Sequence, residues 1–539
     1  MIQLIGGEML AWSDLDGTHG PAPAGGPVLG PLLPAVTGRA LIAGPHAPEL
    51  IDAIPAEQIT LLVRGVADAE TLAARYAERP GVTICCGGLE KLAALPSYDT
   101  VVALDGLDRL PSAESPDLTW DETLSQVLAL LRPGGRLLLA VENLFGVHRL
   151  LTLPPTPADT DWAGPDDHDP SRPASPERLR ARLAAAGVPV VRDYAVYPAP
   201  HAPTALLGGE VLSDPSLHGY LEATLVAAAR PGEPAPVVSG RPGQSGPAVS
   251  ARLGQSDAAV SGRSGQSDPA VPDSPGQPGP VVPVSSGPAA LLADPAVLIT
   301  GALRHDLAGD LAPGWLLLAG DVTAGPAALI GGAELRRAET GWVLDEQPVP
   351  LGRTLLDLLL AACHRRALPA VRDLLTAWQG SRVAGVTVDQ VVVDEDGTLH
   401  GVAPAGKPLE ALRELAARLL AGGYAHLWPS PLDESALTAL LAGMTGRELD
   451  PAAVPRTPRP GHPSLSELLV TVERLERELA EARAERDFLE RTVVNRDFEL
   501  KRVRQINAAL SATAPGKVML GGLKAGRRAM RAVLPKKRD

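Results

Sequence analysis

The chain has 539 residues, 45% hydrophobic but only 3% aromatic, and a formal charge of −14. At roughly 150 residues per domain, that length exceeds a single core and implies about three units. Eight Lys and Arg stand against one Asp from Ser511 onward, so the body is more acidic than the total suggests, which argues against nucleic acid as the main ligand. The three cysteines, Cys85, Cys86 and Cys363, supply neither a disulfide framework nor a zinc spacing and fit a reducing, cytoplasmic setting.

Residues 1–37 form an N-terminal segment. Its opening, MIQLIGGEMLAWSD, has no basic stretch ahead of an apolar core, and no later apolar run reaches the roughly 18 residues of a membrane span. The chain is therefore read as neither secreted nor integral to a membrane. From Gly38 to Asn143, five short apolar runs alternate with helix-length segments: Arg39 to Gly44, Ile59 to Gly65, Val82 to Gly88, Tyr98 to Gly106 and Gly135 to Asn143. Runs of this kind read as strands buried on both faces, joined in βαβ units into a parallel sheet. A further helix, with Ser175 as N-cap and Pro176 in its first turn, and a strand follow. The expectation for 38–229 is an α/β, Rossmann-like, doubly wound domain.

Residues 230–288 are rich in Pro, Gly, Ser and Gln, with Gly-Gln recurring at Gly243, Gly254, Gly265 and Gly276. Each unit has too little apolar surface to offset roughly 1–2 kcal/mol per residue of ordering entropy, so a disordered linker grown by duplication is expected rather than a repeat fold. Residues 289–455 read as an α+β accessory domain, with a hairpin signal at Asp396 and Gly397. From Leu465 a heptad runs through a positions Leu465, Val472, Leu479, Arg486, Val493, Leu500 and Asn507. Its d positions are Leu468, Leu475, Ala482, Leu489, Arg496, Val503 and Leu510. This predicts a coiled coil over 464–511 and a homo-oligomer, with a parallel dimer as the preferred form. In the basic tail 512–539, Met519, Leu523, Met530 and Val533 share one helical face, apart from Lys517, Lys524, Arg527, Arg528 and Arg531. That pattern suits peripheral contact with an anionic membrane, and a solvated tail equally.

Ligands of a doubly wound sheet sit at the carboxyl ends of its strands, where strand order reverses. Gly44-Pro45-His46, Cys86-Gly87-Gly88, Asp105-Gly106 and Glu142-Asn143 all fall at such ends. Each alone is as readily a loop or cap residue; their agreement on one edge points to a site. Cys85 and Cys86 are read as small packing residues. His305, Asp306 and Asp310 lack a second cluster at metal spacing and are read as a solvated loop, with no metal expected.

The segments GGLEKLAALPSYDTVVALDGLDRL and LSQVLALLRPGGRLLLAVEN resemble the second half of a class I S-adenosylmethionine-dependent methyltransferase. The likeness extends over roughly Gly38 to Leu212. ENLFGVHRLL and the Ser175–Leu207 stretch are also similar to bacterial methyltransferases found with cell-surface polysaccharide genes. The resemblance implies S-adenosyl-L-methionine as cofactor and a saccharide or other small molecule as methyl acceptor. It implies that Gly44, with Pro45, and Leu89 and Glu90 line the cofactor, and that Asp105 faces the methyl group. Methyl transfer from a sulfonium needs a collinear acceptor and, for a hydroxyl, a base; Asp105, Glu142 and His148 are the candidates. His148 on a helix after the strand has packing as its commoner role.

Two departures define the alternative. The first loop has only Gly44 where the family is glycine-rich, and Arg64 stands at the second strand tip where the family carries an acid for the ribose hydroxyls, with Asp68 as a substitute. The alternative is a degenerate, non-catalytic methyltransferase fold acting as a coiled-coil scaffold. A dehydrogenase ranks last, since no G-x-G-x-x-G turn is present.

Overall fold

The computed structural model describes residues 2–92, 98–151, 169–228, 295–339, 341–428, 433–454 and 465–512, with positions 522 and 525–527. The proposed linker and nearly all of the basic tail lie outside them. The chain forms two compact units, Met1–Ser464 and Leu465–Asp539.

In the first unit, β1 (Ile2–Gly6), β2 (Arg39–Ala43), β3 (Gln58–Val63), β4 (Val82–Gly87), β5 (Tyr98–Ala103) and β6 (Leu131–Glu142) run parallel in the order β1-β4-β3-β2-β5-β6. Counted from β2, this is the 3-2-1-4-5 order of a doubly wound sheet, and the order reverses between β2 and β5. The strands are almost wholly apolar because both faces are covered. Leu41 and Ala43 of β2 enter one core, whereas Ala40 and Ile42 enter the other. The second core receives the 3₁₀ segment Pro27–Ala35, α1 (Pro48–Asp52) and α2 (Val66–Arg75). The first receives α3 (Trp120–Ala129), α4 (Val147–Leu151) and α5 (Pro176–Ala185). Thr119 starts α3 with a reciprocal capping box: its side chain accepts from the Glu122 N–H, and Glu122 returns a bond to the Thr119 N–H, a device worth about 1 kcal/mol.

Pro133-Gly134-Gly135 lies inside β6 instead of preceding it. The ladder with β5 steps from Tyr98 opposite Leu131 to Thr100 opposite Arg136, and the intervening residues leave the register with Gly134 at φ +75°. Glycine is suited to that left-handed position.

The sheet continues beyond β6 with strands drawn from both sides of the expected linker. β7 (Val190–Tyr197) and β8 (Ala205–Leu207) precede it; β9 (Gly314–Gly320) follows it and lies antiparallel between β6 and β7. β10 (Ala328–Ile330), β11 (Ala333–Ala338), β12 (Gly341–Leu344) and β13 (Gln347–Pro348) extend from β8, completing a thirteen-stranded sheet. The structure thus divides the chain differently from the expected boundaries at 37/38 and 288/289. β1 adds an edge strand beside β4, and GWLLLAG, which falls within the expected accessory domain 289–455, is an interior strand. Its all-apolar sequence demands neighbours on both faces and both edges, and β6 and β7 supply the edges.

A smaller core is built around β14 (Arg353–Thr354), β15 (Val391–Val393) and β16 (Leu399–Gly401) by four helices, Leu355–His364, Leu368–Gln379, Pro408–Ala421 and Glu434–Met444. β15 and β16 form the hairpin signalled by Asp396-Gly397. The second unit contains the helix Leu465–Ala512, 48 residues long. Val472, Leu475, Leu479, Leu489, Val493, Leu500 and Val503, at positions expected to form a coiled-coil seam, are each half exposed or more. No helix among the described residues is long and apolar enough to cross a membrane.

A candidate ligand crevice closed by the N-terminal segment

At the point where strand order reverses, the carboxyl ends of β2, β3 and β5 are covered by the chain's own residues 7–26. This strap leaves β1 on that edge and pairs twice with it through the main chain. The Met9 N–H donates to the Arg64 carbonyl at 2.9 Å and the Val66 N–H to the Met9 carbonyl at 3.1 Å. Farther along, Ala24 donates to Pro45 at 3.1 Å and accepts from Ala47 at 2.8 Å. The approach is close: a Cβ on Gly65 would lie 2.5 Å from the Trp12 carbonyl oxygen.

Between the two pairings the strap lays polar groups into the crevice. The Asp14 carboxylate takes a two-pronged bond from Arg64, Nε at 2.7 Å and Nη2 at 2.9 Å, with both side chains 3% exposed. Arg64 Nη1 donates to the Pro111 carbonyl at 3.0 Å. Asp68, in the first turn of α2, accepts from Ser13 Oγ, from the Asp14 N–H at 2.8 Å and from the Leu15 N–H at 3.4 Å. Burial pushes the Asp68 carboxyl above its ordinary range, against the pull of those three donors. Arg109 clamps Asp105 with Nε at 2.7 Å and with Nη2, while Nη1 donates to the carbonyls of Pro21 at 2.8 Å and Asp14 at 3.4 Å. His201 completes the Asp105 environment at 3.2 Å.

His46 closes the reversal point itself. Its Nδ1 donates to the Gly44 carbonyl at 3.0 Å and its Nε2 accepts the Leu104 N–H at 3.1 Å. The backbone donor fixes the tautomer, with the proton on Nδ1. Burial drives the His46 pKa below the usual histidine value, so the ring is neutral.

Beside the crevice, at the end of β6, Glu142 accepts from His148 Nε2 at 2.9 Å and Arg149 Nε at 2.8 Å. Burial raises its carboxyl, but the two bonds outweigh it and hold the pKa down at about 2. Asn143 joins this end to the chain after the expected linker: its Nδ2 donates to the carbonyls of Asp310 at 2.7 Å and Ala312 at 2.8 Å.

The predicted site residues therefore separate. Gly44 and Pro45 form the loop that the strap covers, with Gly44 at φ +89°. Asp68 and Asp105 lie under the strap. Glu142 and His148 form their own cluster. Leu89 is a buried core residue, and Glu90 accepts from Ser115 Oγ at 2.8 Å. Cys85 and Cys86 pack in opposite cores, and burial lifts the Cys86 thiol to about 11. Among the described residues no three His, Cys, Asp or Glu side chains are arranged to hold a metal. Sequence reasoning missed Asp14, Arg109 and His201; it placed His46 on this edge with the loop after the first strand but gave it no role. Arg109 had a signal, the i to i+4 spacing from Asp105; Asp14 had none.

While the strap is in place these residues do not fit S-adenosylmethionine. Arg64 offers only donors where ribose hydroxyls require an acceptor, and the oxygens of Asp68 are taken by the strap.

Fold and site together define the class as a doubly wound α/β fold with a closed crevice at its reversal point. No family model and no curated protein matches the chain. Solved structures with some likeness include the Burkholderia thailandensis 1,6-didemethyltoxoflavin-N1-methyltransferase with bound S-adenosylhomocysteine, at 21% identity, covering 30% of this chain and 67% of that one, TM-score 0.20. Another is the CcbJ methyltransferase of Streptomyces caelestis, at 18% identity, covering 34% and 91%, TM-score 0.23. The Bradyrhizobium japonicum N-methyltransferase NodS, in complex with S-adenosylhomocysteine, has 14% identity, covers 22% and 59%, and gives a TM-score of 0.18. A likeness this slight decides nothing about the crevice.

Proposed function

We propose that the first unit is a degenerate methyltransferase-type fold whose ligand crevice is filled by its own strap, and that the chain acts as a scaffold assembled through residues 465–512. The observation that carries this reading is the double hold on Asp14, whose carboxylate is gripped by Arg64 and whose carbonyl accepts from Arg109. A crevice kept for a cofactor would leave such donors facing open space; here a buried ion pair consumes them. The half-exposed apolar residues at a and d positions of the long helix would supply the assembly surface.

A second reading is an S-adenosylmethionine-dependent methyltransferase acting on a small-molecule or saccharide acceptor. One observation favours it: Asp105 and the Glu142–His148 pair end neighbouring parallel strands on the edge where this fold places ligands. It requires the strap to withdraw. Gly44, Pro45, Asp68, Leu89 and Glu90 would then line the cofactor, and Asp105, Glu142 or His148 would serve the acceptor. Calorimetric titration of the full chain with S-adenosylmethionine and S-adenosylhomocysteine separates the two. The scaffold reading expects no binding heat up to millimolar cofactor in folded protein; micromolar binding would replace it with the enzyme reading.

A further inference from the structure

The strap is seated in the crevice as a peptide ligand would be. It pairs by main chain at both ends, at Met9 with the end of β3 and at Ala24 with the loop after β2. Between them the short run Ser13-Asp14-Leu15 offers one hydroxyl, one carboxylate and two N–H groups. The crevice answers each group. Asp68 takes the hydroxyl and both N–H groups, and the Arg64 fork takes the carboxylate. Arg109 takes the carbonyls of Asp14 and Pro21. Main-chain pairing for affinity and charged side chains for selectivity are the ordinary means of peptide recognition.

We propose that this crevice is an acidic-peptide site, selective for a hydroxyl residue followed by an aspartate, and that the strap is its built-in occupant. The site is on the first unit, is formed by Arg64, Asp68 and Arg109 with Gly65 as a point of close approach, and accepts such a segment from another chain when the strap is released. The strap of a second copy has the same chemistry. The inference rests on the reading that the strap fills the crevice. It differs from the original family expectation in its ligand class, a peptide in place of a nucleoside sulfonium.

The test uses the full chain carrying Ser13→Ala and Asp14→Ala, which weakens the internal occupant and leaves the crevice intact. The probe is a fluorescein-labelled peptide of residues 10–17, LAWSDLDG, followed by anisotropy. The variant is expected to bind it at least about 10-fold more tightly than the unaltered chain, which its own strap protects. A probe with Asp14→Asn should bind at least about 10-fold more weakly, because the fork then loses its charged partner. Equal affinity for the two probes, or no binding to folded variant, overturns the proposal. Should the double variant fail to fold, Ser13→Ala alone keeps the ion pair. In that chain, excess probe should speed amide exchange at Asp14 and Leu15 by displacing them, and unchanged exchange overturns the proposal. Titrating S-adenosylmethionine into the same variants keeps the two questions apart. Cofactor binding without probe binding defeats this inference and favours the enzyme. Probe binding that is weakened by Asp14→Asn in the probe upholds it whichever way the cofactor titration falls.

Discussion

Asp14 and Arg64 form a pair that is costly to break and whose stabilising value is modest, because both charges left water to make it. Asp14→Ala should lower unfolding free energy by about 3–5 kcal/mol, since it strands a buried guanidinium. Asp52→Ala, which frees Arg75 from a pair 45% exposed on both sides, should change it by less than about 1 kcal/mol. Denaturant titration of both variants checks the contrast, and equal losses would contradict the burial argument. Gly65→Ala should cost about 1–3 kcal/mol and increase chymotryptic cleavage at Trp12, because its Cβ would meet the strap backbone first, at the Trp12 carbonyl. His46 supplies a pH dependence. Its folded pKa lies below the ordinary value of about 6.5, so the unfolded chain binds a proton that the folded chain refuses. The stability it contributes is intact above about pH 6.5 and declines as pH falls, by up to about 1.4 kcal/mol per unit. Between pH 7.5 and 5, roughly the window of that linkage, unfolding free energy should fall less steeply for His46→Gln than for the unaltered chain. Matching slopes would show that His46 charges freely in the folded state.

Among the elements, those whose partners are close in sequence were legible and those with distant partners were not. The strands Arg39–Ala43, Gln58–Val63, Val82–Gly87 and Tyr98–Ala103 announce themselves as apolar runs, and the α5 helix by its Ser175 cap, because such signals are local. The residues after β5 and β6 were placed on the right edge for the same reason. The strap carried no periodicity, and its meaning lies in contacts 50 to 95 residues away, which no window of sequence contains. β9 is the sharper case: GWLLLAG reads as a buried strand, but nothing in it names β6 and β7 as neighbours. Seven consecutive pairs join β9 to β6, from Arg136 opposite Gly320 to Glu142 opposite Gly314. A protease site introduced near Gly265 and fully cut should therefore leave two fragments that co-elute on size exclusion without denaturant. Fragments that part at once would show that β9 contributes little to the sheet.

For the whole molecule, the 48-residue helix carries apolar residues at heptad spacing that are half exposed or more. We expect an oligomer, a dimer in its simplest form, with Leu475, Leu489 and Val493 covered by a second copy. Leu475→Lys with Leu489→Lys should yield monomers by light scattering, whereas Glu490→Lys on the flank should leave the oligomer mass unchanged. A monomer in the unaltered protein would remove the assembly claim and with it any cooperative action of the basic tails at an anionic surface, which depends on several tails acting together.

The place of β9 sets the order in which a nascent chain can finish. When the ribosome has released β1 to β8, the sheet exists only as two incomplete pieces, because the strand that joins β6 to β7 has not yet been made. At roughly 5–20 residues per second, the unpaired edges of β6 and β7 wait several seconds for Gly320 to emerge. During that interval they present free backbone donors and acceptors to any other strand. Slowing elongation before Gly314 should therefore raise the aggregated fraction of newly made protein, and synonymous slowing after Gly320 has emerged from the ribosome should not.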